Sequence, residues 1–119
     1  MKSSQIIKKN YEFDRVYQRG KQCHMGPLSI FYLKRREGPT RYGYTVSRKV
    51  RGAVQRNRVK RVLRELSRAM GPETKDRYDI LLLSRSEARP GSYQKLARTY
   101  EKLLAKADLL CDGQDWDQD

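Results

Sequence analysis

The chain has 119 residues, 27 of them Lys or Arg and 14 Asp or Glu, for a formal charge of +13. That length fits a single domain whose core needs no disulfide or metal staple, and Cys23 and Cys111, far apart and without metal-ligand spacing, read as free thiols. No apolar run approaches the roughly 20 residues of a membrane span, and the basic opening MKSSQIIKKN lacks the apolar stretch of a secretory leader, so a cytoplasmic protein with no membrane partner is expected.

The charge is unevenly placed. Asp108, Asp112, Asp115, Asp117 and Asp119 crowd the last dozen positions, and the first 107 residues carry all 27 basic residues against nine acids, a formal +18. Self-repulsion of that size weakens a compact state unless a polyanion screens it. A phosphate-rich partner, nucleic acid above all, is therefore expected.

In chain order, Lys8 to Arg19 reads as a helix, with Phe13, Val16 and Tyr17 on one face at i, i+3, i+4. Gly20 closes it in the manner of a C-terminal glycine. Leu28 to Leu33 is a strand with Leu28, Ile30 and Tyr32 on one side and Ser29, Phe31 and Leu33 on the other. Gly38-Pro39 marks a turn. Arg41 to Ser47 is a second strand, in which bulky Tyr42, Tyr44 and Val46 alternate with small Gly43, Thr45 and Ser47; the small set leaves room above the sheet. A helix from Gly52 to Met70 carries a stripe of Val59, Val62, Leu63, Leu66 and Met70 and stops at Gly71-Pro72. Asp79 to Ser84 is a buried strand, which makes a parallel strand–helix–strand crossover. Ser92, as N-cap, opens a last helix to about Leu110, with Leu96, Tyr100, Leu103, Leu104 and Ala107 inward. The expected order is αββαβα, an α+β domain over 1–110, with an acidic tail, 111–119, expected to be disordered.

The richest stretch lies between Arg48 and Arg68: Arg48, Lys49, Arg51, Arg56, Arg58, Lys60, Arg61, Arg64 and Arg68, with Glu65 the one acid. With the apolar stripe near 0°, Asn57, Arg61, Arg64 and Arg68 fall between about 140° and 200° at 100° per residue. The helix thus buries one face and offers a nearly all-positive opposite face. A solvated surface helix would interleave Glu with Lys at i, i+4, and this one does not. Arginine predominates, and its planar fork suits phosphate contact and stacking. The N–H groups near Gly52-Ala53-Val54 add a generic anion site.

Phe13 and Tyr17 on the first helix and Phe31 on the first expected strand admit two readings. They line a groove floored by Thr45 and Ser47, where bases stack, or they are helix-to-sheet core. Catalysis by the chain itself has little support. His24 stands without an evident partner, Asp14 and Glu65 sit beside basic residues as local ion-pair partners, and no metal-binding, paired-carboxylate or phosphate-loop pattern is present.

The segment Arg56-Asn57-Arg58-Val59-Lys60-Arg61, continued by Arg64-Glu65, resembles the RNxxKRxxRE signature of bacterial ribonuclease P proteins. Ser47-Arg48-Lys49-Val50 followed by Ala53-Val54 resembles that family's S-[KR]-K-[VI]-x-x-A-V run, with Arg48 where Lys is common. Lys8-Lys9-Asn10, Phe13, Val16-Tyr17 and Gly20 resemble its opening helix, and Asp79-Ile80 and Tyr93 to Leu104 its later strand and last helix. The resemblance covers roughly residues 5 to 107, and the acidic tail lies outside it.

That resemblance implies a fold like the second domain of ribosomal protein S5, with a left-handed βαβ crossover that the usual right-handed rule would not suggest. It implies a subunit of an endoribonuclease that removes the 5′ leader of precursor tRNA, the chemistry belonging to a large RNA subunit with Mg²⁺. No catalytic residue, cofactor or metal is expected on the protein, and one protein per RNA is expected. Arg56, Asn57, Arg58, Lys60, Arg61 and Arg64 would contact the RNA subunit, with Arg48, Lys49 and Arg68 extending that surface. Phe13, Tyr17, Phe31, Ser29 and Thr45 would line the leader groove. The alternative is a generic basic RNA-binding module such as a ribosomal protein; an autonomous nuclease fits least.

Overall fold

The computed structural model describes residues 5–87, 89 and 91–111. Helix α1 (Asn10–Arg19) is followed by β1 (Lys21–Met25), β2 (Leu28–Lys34), β3 (Arg41–Val46), α2 (Ala53–Met70), a 3-10 turn (Gly71–Glu73), β4 (Tyr78–Ser84) and α3 (Tyr93–Lys106). The strands form one mixed sheet in the order β1-β2-β4-β3. β1 and β4 flank β2 antiparallel, and β3 runs parallel to β4, as the strand–helix–strand order required. The small α+β class holds, while the element order gains a strand and becomes αβββαβα.

The added strand, Lys21-Gln22-Cys23-His24-Met25, is a sheet edge. Only Cys23 and Met25 turn toward the main core, and its other residues are exposed. An edge strand with two modest apolar residues gives no alternating hydrophobic signal.

The two faces of the sheet bury different clusters. On one, Leu28, Ile30, Tyr42, Val46, Ile80 and Leu82 pack against Val59, Leu63 and Leu66 of α2 and Tyr100, Leu103 and Leu104 of α3. Each fully buried side chain of this kind contributes about 1.5–3 kcal/mol relative to exposure. On the other, α1 places Val16 and Phe13 against Phe31, Leu33 and Leu81, with Ile7 beside them. Ile7 donates its N–H to Tyr42 O (2.7 Å), covering part of the β3 edge.

Two glycines make the α1 packing possible. Gly20 is extended (φ −84°, ψ 176°), so it is not a left-handed helix stop as expected. A Cβ there would lie 2.5 Å from Val16 O and 2.6 Å from Tyr32 O, so the residue must be glycine for close approach. A Cβ on Gly43 would meet Leu81 Cδ2 at 2.6 Å and the Phe13 ring at 2.9 Å. The room expected above the small side of β3 is thus filled by Phe13.

The chain ends depart from expectation at α3. Ser92 occupies the N-cap position in helical conformation, and its Oγ donates to Arg89 O (2.7 Å) instead of capping the helix. The helix stops at Lys106, because Asp108 takes a positive φ of 60°. Leu109 is then fully buried, and Leu110 bridges Thr74. Cys111 continues that pairing, its N–H donating to Glu73 O (2.5 Å), whereas 112–119 of the expected tail lie outside the described residues. No described helix is long and apolar enough to cross a membrane.

Candidate nucleic-acid interface

Helix α2 is positioned by its inner stripe. Val59, Leu63, Leu66 and Ser67 are buried, and Val62 and Met70 are partly so. That packing forces Asn57, Arg58, Arg61, Arg64 and Arg68 to the outside, all exposed, with half-buried Lys60 beside them. None of these cations forms an ion pair among the described residues. Arg64 is held nonetheless, its guanidinium 5.7 Å from the centroid of the Tyr44 ring. The Tyr44 hydroxyl lies 2.6 Å from Ser67 Oγ, which also donates to Arg64 O (2.9 Å). Arg68 borders a cavity of about 170 Å³ with Thr74 and Tyr42, and burial there pushes the Tyr42 hydroxyl up to about 12.

Arg56 behaves differently from the expected RNA contact. Its guanidinium turns back to donate to Ser47 O (2.9 Å), Val50 O (3.0 Å) and Val46 O (3.0 Å). Ser47 O also accepts from Val50 N–H (3.0 Å), and with these bonds Arg56 shapes the loop that presents exposed Arg48 and Lys49. After it, α2 begins with no side-chain cap and no acid in its first turn. Its leading N–H groups and positive dipole end therefore adjoin the same basic loop.

The aromatic groove lies on the opposite face of the sheet. Tyr17 and Phe31 meet edge-to-face with ring centroids 4.8 Å apart and planes at 76°. Tyr17 is 42% exposed. Its hydroxyl bonds to Thr45, while partial burial, opposed by that bond, raises its pKa. Phe13 sits deeper, over Gly43, and belongs to the small core as much as to the groove. Phe13 is therefore chiefly core, and Tyr17, exposed beside half-buried Phe31, is the member of the trio that reaches the surface.

Ser29 requires a correction. It faces the groove side of β2 but is 0% exposed. Its Oγ lies 2.7 Å from His24 Nδ1 and accepts from Arg85 NH1, so these two residues stand over it. Ser29 supports the floor; His24 and Arg85 present the surface. His24 is accordingly not the partnerless imidazole expected. Register explains both omissions, since His24 is directly opposite Ser29 across β1–β2, and β1 was not anticipated. Arg85 could have been found by alternation, because Leu81, Leu83 and Arg85 follow one side of β4.

At the other end of the sheet the charges pair. Asp79, 2% exposed, is opposite Arg41 in the β3–β4 register. Arg41 Nε and NH2 donate to its two carboxylate oxygens at 2.8 Å each, and Arg41 NH1 donates to Glu12 Oε2 at 2.8 Å. Arg35 Nε approaches Asp79 at 3.6 Å. Burial disfavours the Glu12 carboxylate, but the bond and charge of Arg41, helped by Lys9 and Arg15, outweigh it and hold its pKa below the usual value. Among the described residues the acids in ion pairs are Glu12, Asp79 and Asp108, not the expected Asp14 and Glu65. Among the described residues no three His, Cys, Asp or Glu side chains gather as a metal site.

Comparison with known proteins places the chain in a family. The Ribonuclease P family model matches residues 1–108. The chain is 39% identical over 109 residues to the ribonuclease P protein component of Natranaerobius thermophilus, covering 90% of this chain and 95% of that one. It is 38% identical over 111 residues to that of Dehalococcoides mccartyi, covering 92% and 90%. A solved Staphylococcus aureus RNase P protein superposes with a TM-score of 0.78 at 27% identity, covering 90% of this chain and 98% of the other. The Thermotoga maritima RNase P protein, at 21% identity and a TM-score of 0.65, shares the fold. With its basic α2, its α1-covered sheet and nearly its whole length accounted for, the chain belongs to the ribonuclease P protein family, as a protein subunit of that tRNA-processing endoribonuclease.

Proposed function

We propose that the protein docks on the catalytic RNA subunit through the outer face of α2 and holds the 5′ leader of precursor tRNA in the groove beside α1. The observation that carries this reading is the positive face of Arg58, Arg61, Arg64 and Arg68, which makes no ion pair among the described residues and is backed by a buried stripe that fixes its direction. Arginines without carboxylate partners keep their full charge for phosphates, and release of counterions drives such binding. Asn57, Lys60 and the loop residues Arg48 and Lys49 continue the surface, with Arg56 setting the loop. On the far face, Tyr17, Phe31 and Thr45 offer aromatic edges and a hydroxyl to single-stranded bases.

The chemistry is assigned to the RNA subunit and its Mg²⁺, with one protein per RNA in the cytoplasm. The protein's part is to raise affinity for the leader-bearing substrate and to screen the phosphates that would otherwise demand more Mg²⁺. Reconstitution tests this directly. The protein alone should leave precursor tRNA intact, and adding it to the RNA subunit should stimulate cleavage strongly at low Mg²⁺ and little at high Mg²⁺. Cleavage by the purified protein without RNA, abolished by changing His24 or a carboxylate, would overturn the reading.

A further inference from the structure

Helix α1 lies across the sheet, not along it. Its first half lies over β4, and from there the Phe13 ring reaches across to cover Gly43 of β3; its end packs on β2, where Tyr17 meets Phe31 and Gly20 abuts Tyr32 O. The helix therefore divides one sheet face into two clefts. The groove described above lies on one side. On the other is an open cavity of about 620 Å³ bordered by Arg15, Arg19, Leu33, Lys34, Arg35 and Arg36, with the Arg41–Asp79–Glu12 cluster and Glu37 at its wall.

This cavity does not end at the sheet. It shares Arg19, Leu33 and Lys34 with a second depression of about 280 Å³, which adds Lys21 and the tyrosines Tyr32 and Tyr78. The two rings lie 6.4 Å apart between centroids, tilted by 57°. Together the depressions form a bent channel with seven basic and three acidic side chains. Two of the acids, Asp79 and Glu12, are already engaged by Arg41, and Arg35 approaches Asp79. Arg19, Lys34 and Arg36 remain exposed and make no ion pair among the described residues. An elongated positive channel with aromatic edges fits a single polynucleotide strand, whose phosphates recur along its length and whose bases all have a stacking face.

We propose that this channel binds a second stretch of single-stranded RNA and, resting on the function proposed above, that the strand is the part of the precursor leader upstream of the nucleotides held by Tyr17 and Phe31. Continuity favours the leader over a separate RNA. Phe31 and Leu33 point to the same side of β2, two residues or roughly 7 Å apart, and lie in the groove and the channel respectively. At the end of α1, Tyr17 faces the groove and Arg19 borders the channel. A strand that passes Tyr17 at this end meets Arg19 and Lys34 next.

The test uses the reconstituted holoenzyme with three RNAs: mature tRNA, a precursor whose leader ends at the groove, and one whose leader is several nucleotides longer. The Arg19→Ala/Lys34→Ala/Arg36→Ala variant changes only exposed side chains, and its thermal unfolding should match the parent. It should bind the long-leader precursor roughly tenfold more weakly, with a salt dependence shallower by about 0.7 for each phosphate no longer neutralised. Binding of the short-leader precursor and of mature tRNA should not change. Equal losses on all three RNAs would place another RNA in the channel and overturn the proposal, as would no loss on any. Phe31→Ala, measured alongside, should weaken both precursors alike. If it fails to separate precursor from mature tRNA, the groove reading itself falls; if it succeeds while the triple variant shows no dependence on leader length, only the channel is lost.

Discussion

The outer face of α2 and the β3–β4 end of the sheet both concentrate arginine, and they treat it in opposite ways. On α2, Arg58, Arg61, Arg64 and Arg68 point outward with no carboxylate partner among the described residues. At the sheet end, Arg41 is clasped by both oxygens of Asp79 and by Glu12. The first arrangement accumulates repulsion that a polyanion relieves. The second satisfies a guanidinium inside the fold, tying β3 to β4 and α1 to both. In a chain this basic, composition alone does not separate arginines that face outward from arginines that build; an acceptor within the fold, the Asp79 carboxylate for Arg41 or backbone carbonyls for Arg56, does.

Removing the carboxylate should give the largest effect on stability. Asp79→Ala leaves Arg41 half-compensated in a partly buried site, and breaking such a pair costs up to about 3–5 kcal/mol, the figure for a fully buried one. Urea unfolding should show this loss, and binding to the RNA subunit, measured on protein kept folded at low temperature, should change little. Arg58→Ala/Arg61→Ala should do the reverse. Its unfolding free energy should stay within about 0.5 kcal/mol of the parent. Its affinity for the RNA subunit should fall, and the salt dependence should flatten by up to about 0.9 for each phosphate left without its cation. If the α2 variant unfolds easily and binds normally, the contrast between the two regions collapses.

The groove sits between these extremes, because its aromatics serve packing and surface together. Phe31→Ala should weaken binding of precursor over mature tRNA by about 1–3 kcal/mol if a base stacks there. Equal losses on both would return Phe31 to the core alone.

Much of this was legible from the chain. The period of Val59, Leu63 and Leu66 fixed which side of α2 faces outward, and the alternation of Gly43 and Thr45 with Tyr42 and Tyr44 showed where α1 finds room. What escaped was whatever depends on register between distant segments. Arg41 and Asp79 are 38 residues apart, and nothing local marks them as a pair. The inward set of β1 is only Cys23 and Met25, too short an alternation to mark a strand, so nothing local sets His24 over Ser29. Arg56 belongs to the same basic block as Arg58 and Arg61, yet one turn of helix brings it against the end of β3, where carbonyls need a donor. The basic motif marks the proposed interface; only packing shows which of its members are turned inward.

The smallest effect tests how far the paired region depends on its second acid. Glu12 has its pKa lowered by Arg41 despite burial that works the other way. A carboxyl whose folded pKa lies below its unfolded value contributes stability that is fully present above the unfolded value, about 4.3. That contribution is lost as pH falls through the lowered folded value. Thermal unfolding followed from neutral pH into this acid range should therefore drop more steeply for the parent than for Glu12→Gln, which keeps the shape but not the charge. Near neutrality the variant should be modestly less stable, because Asp79 still holds Arg41 from the other side. Were the two pH profiles parallel, Glu12 would be a bystander, and Asp79 alone would account for the difference between the sheet end and α2.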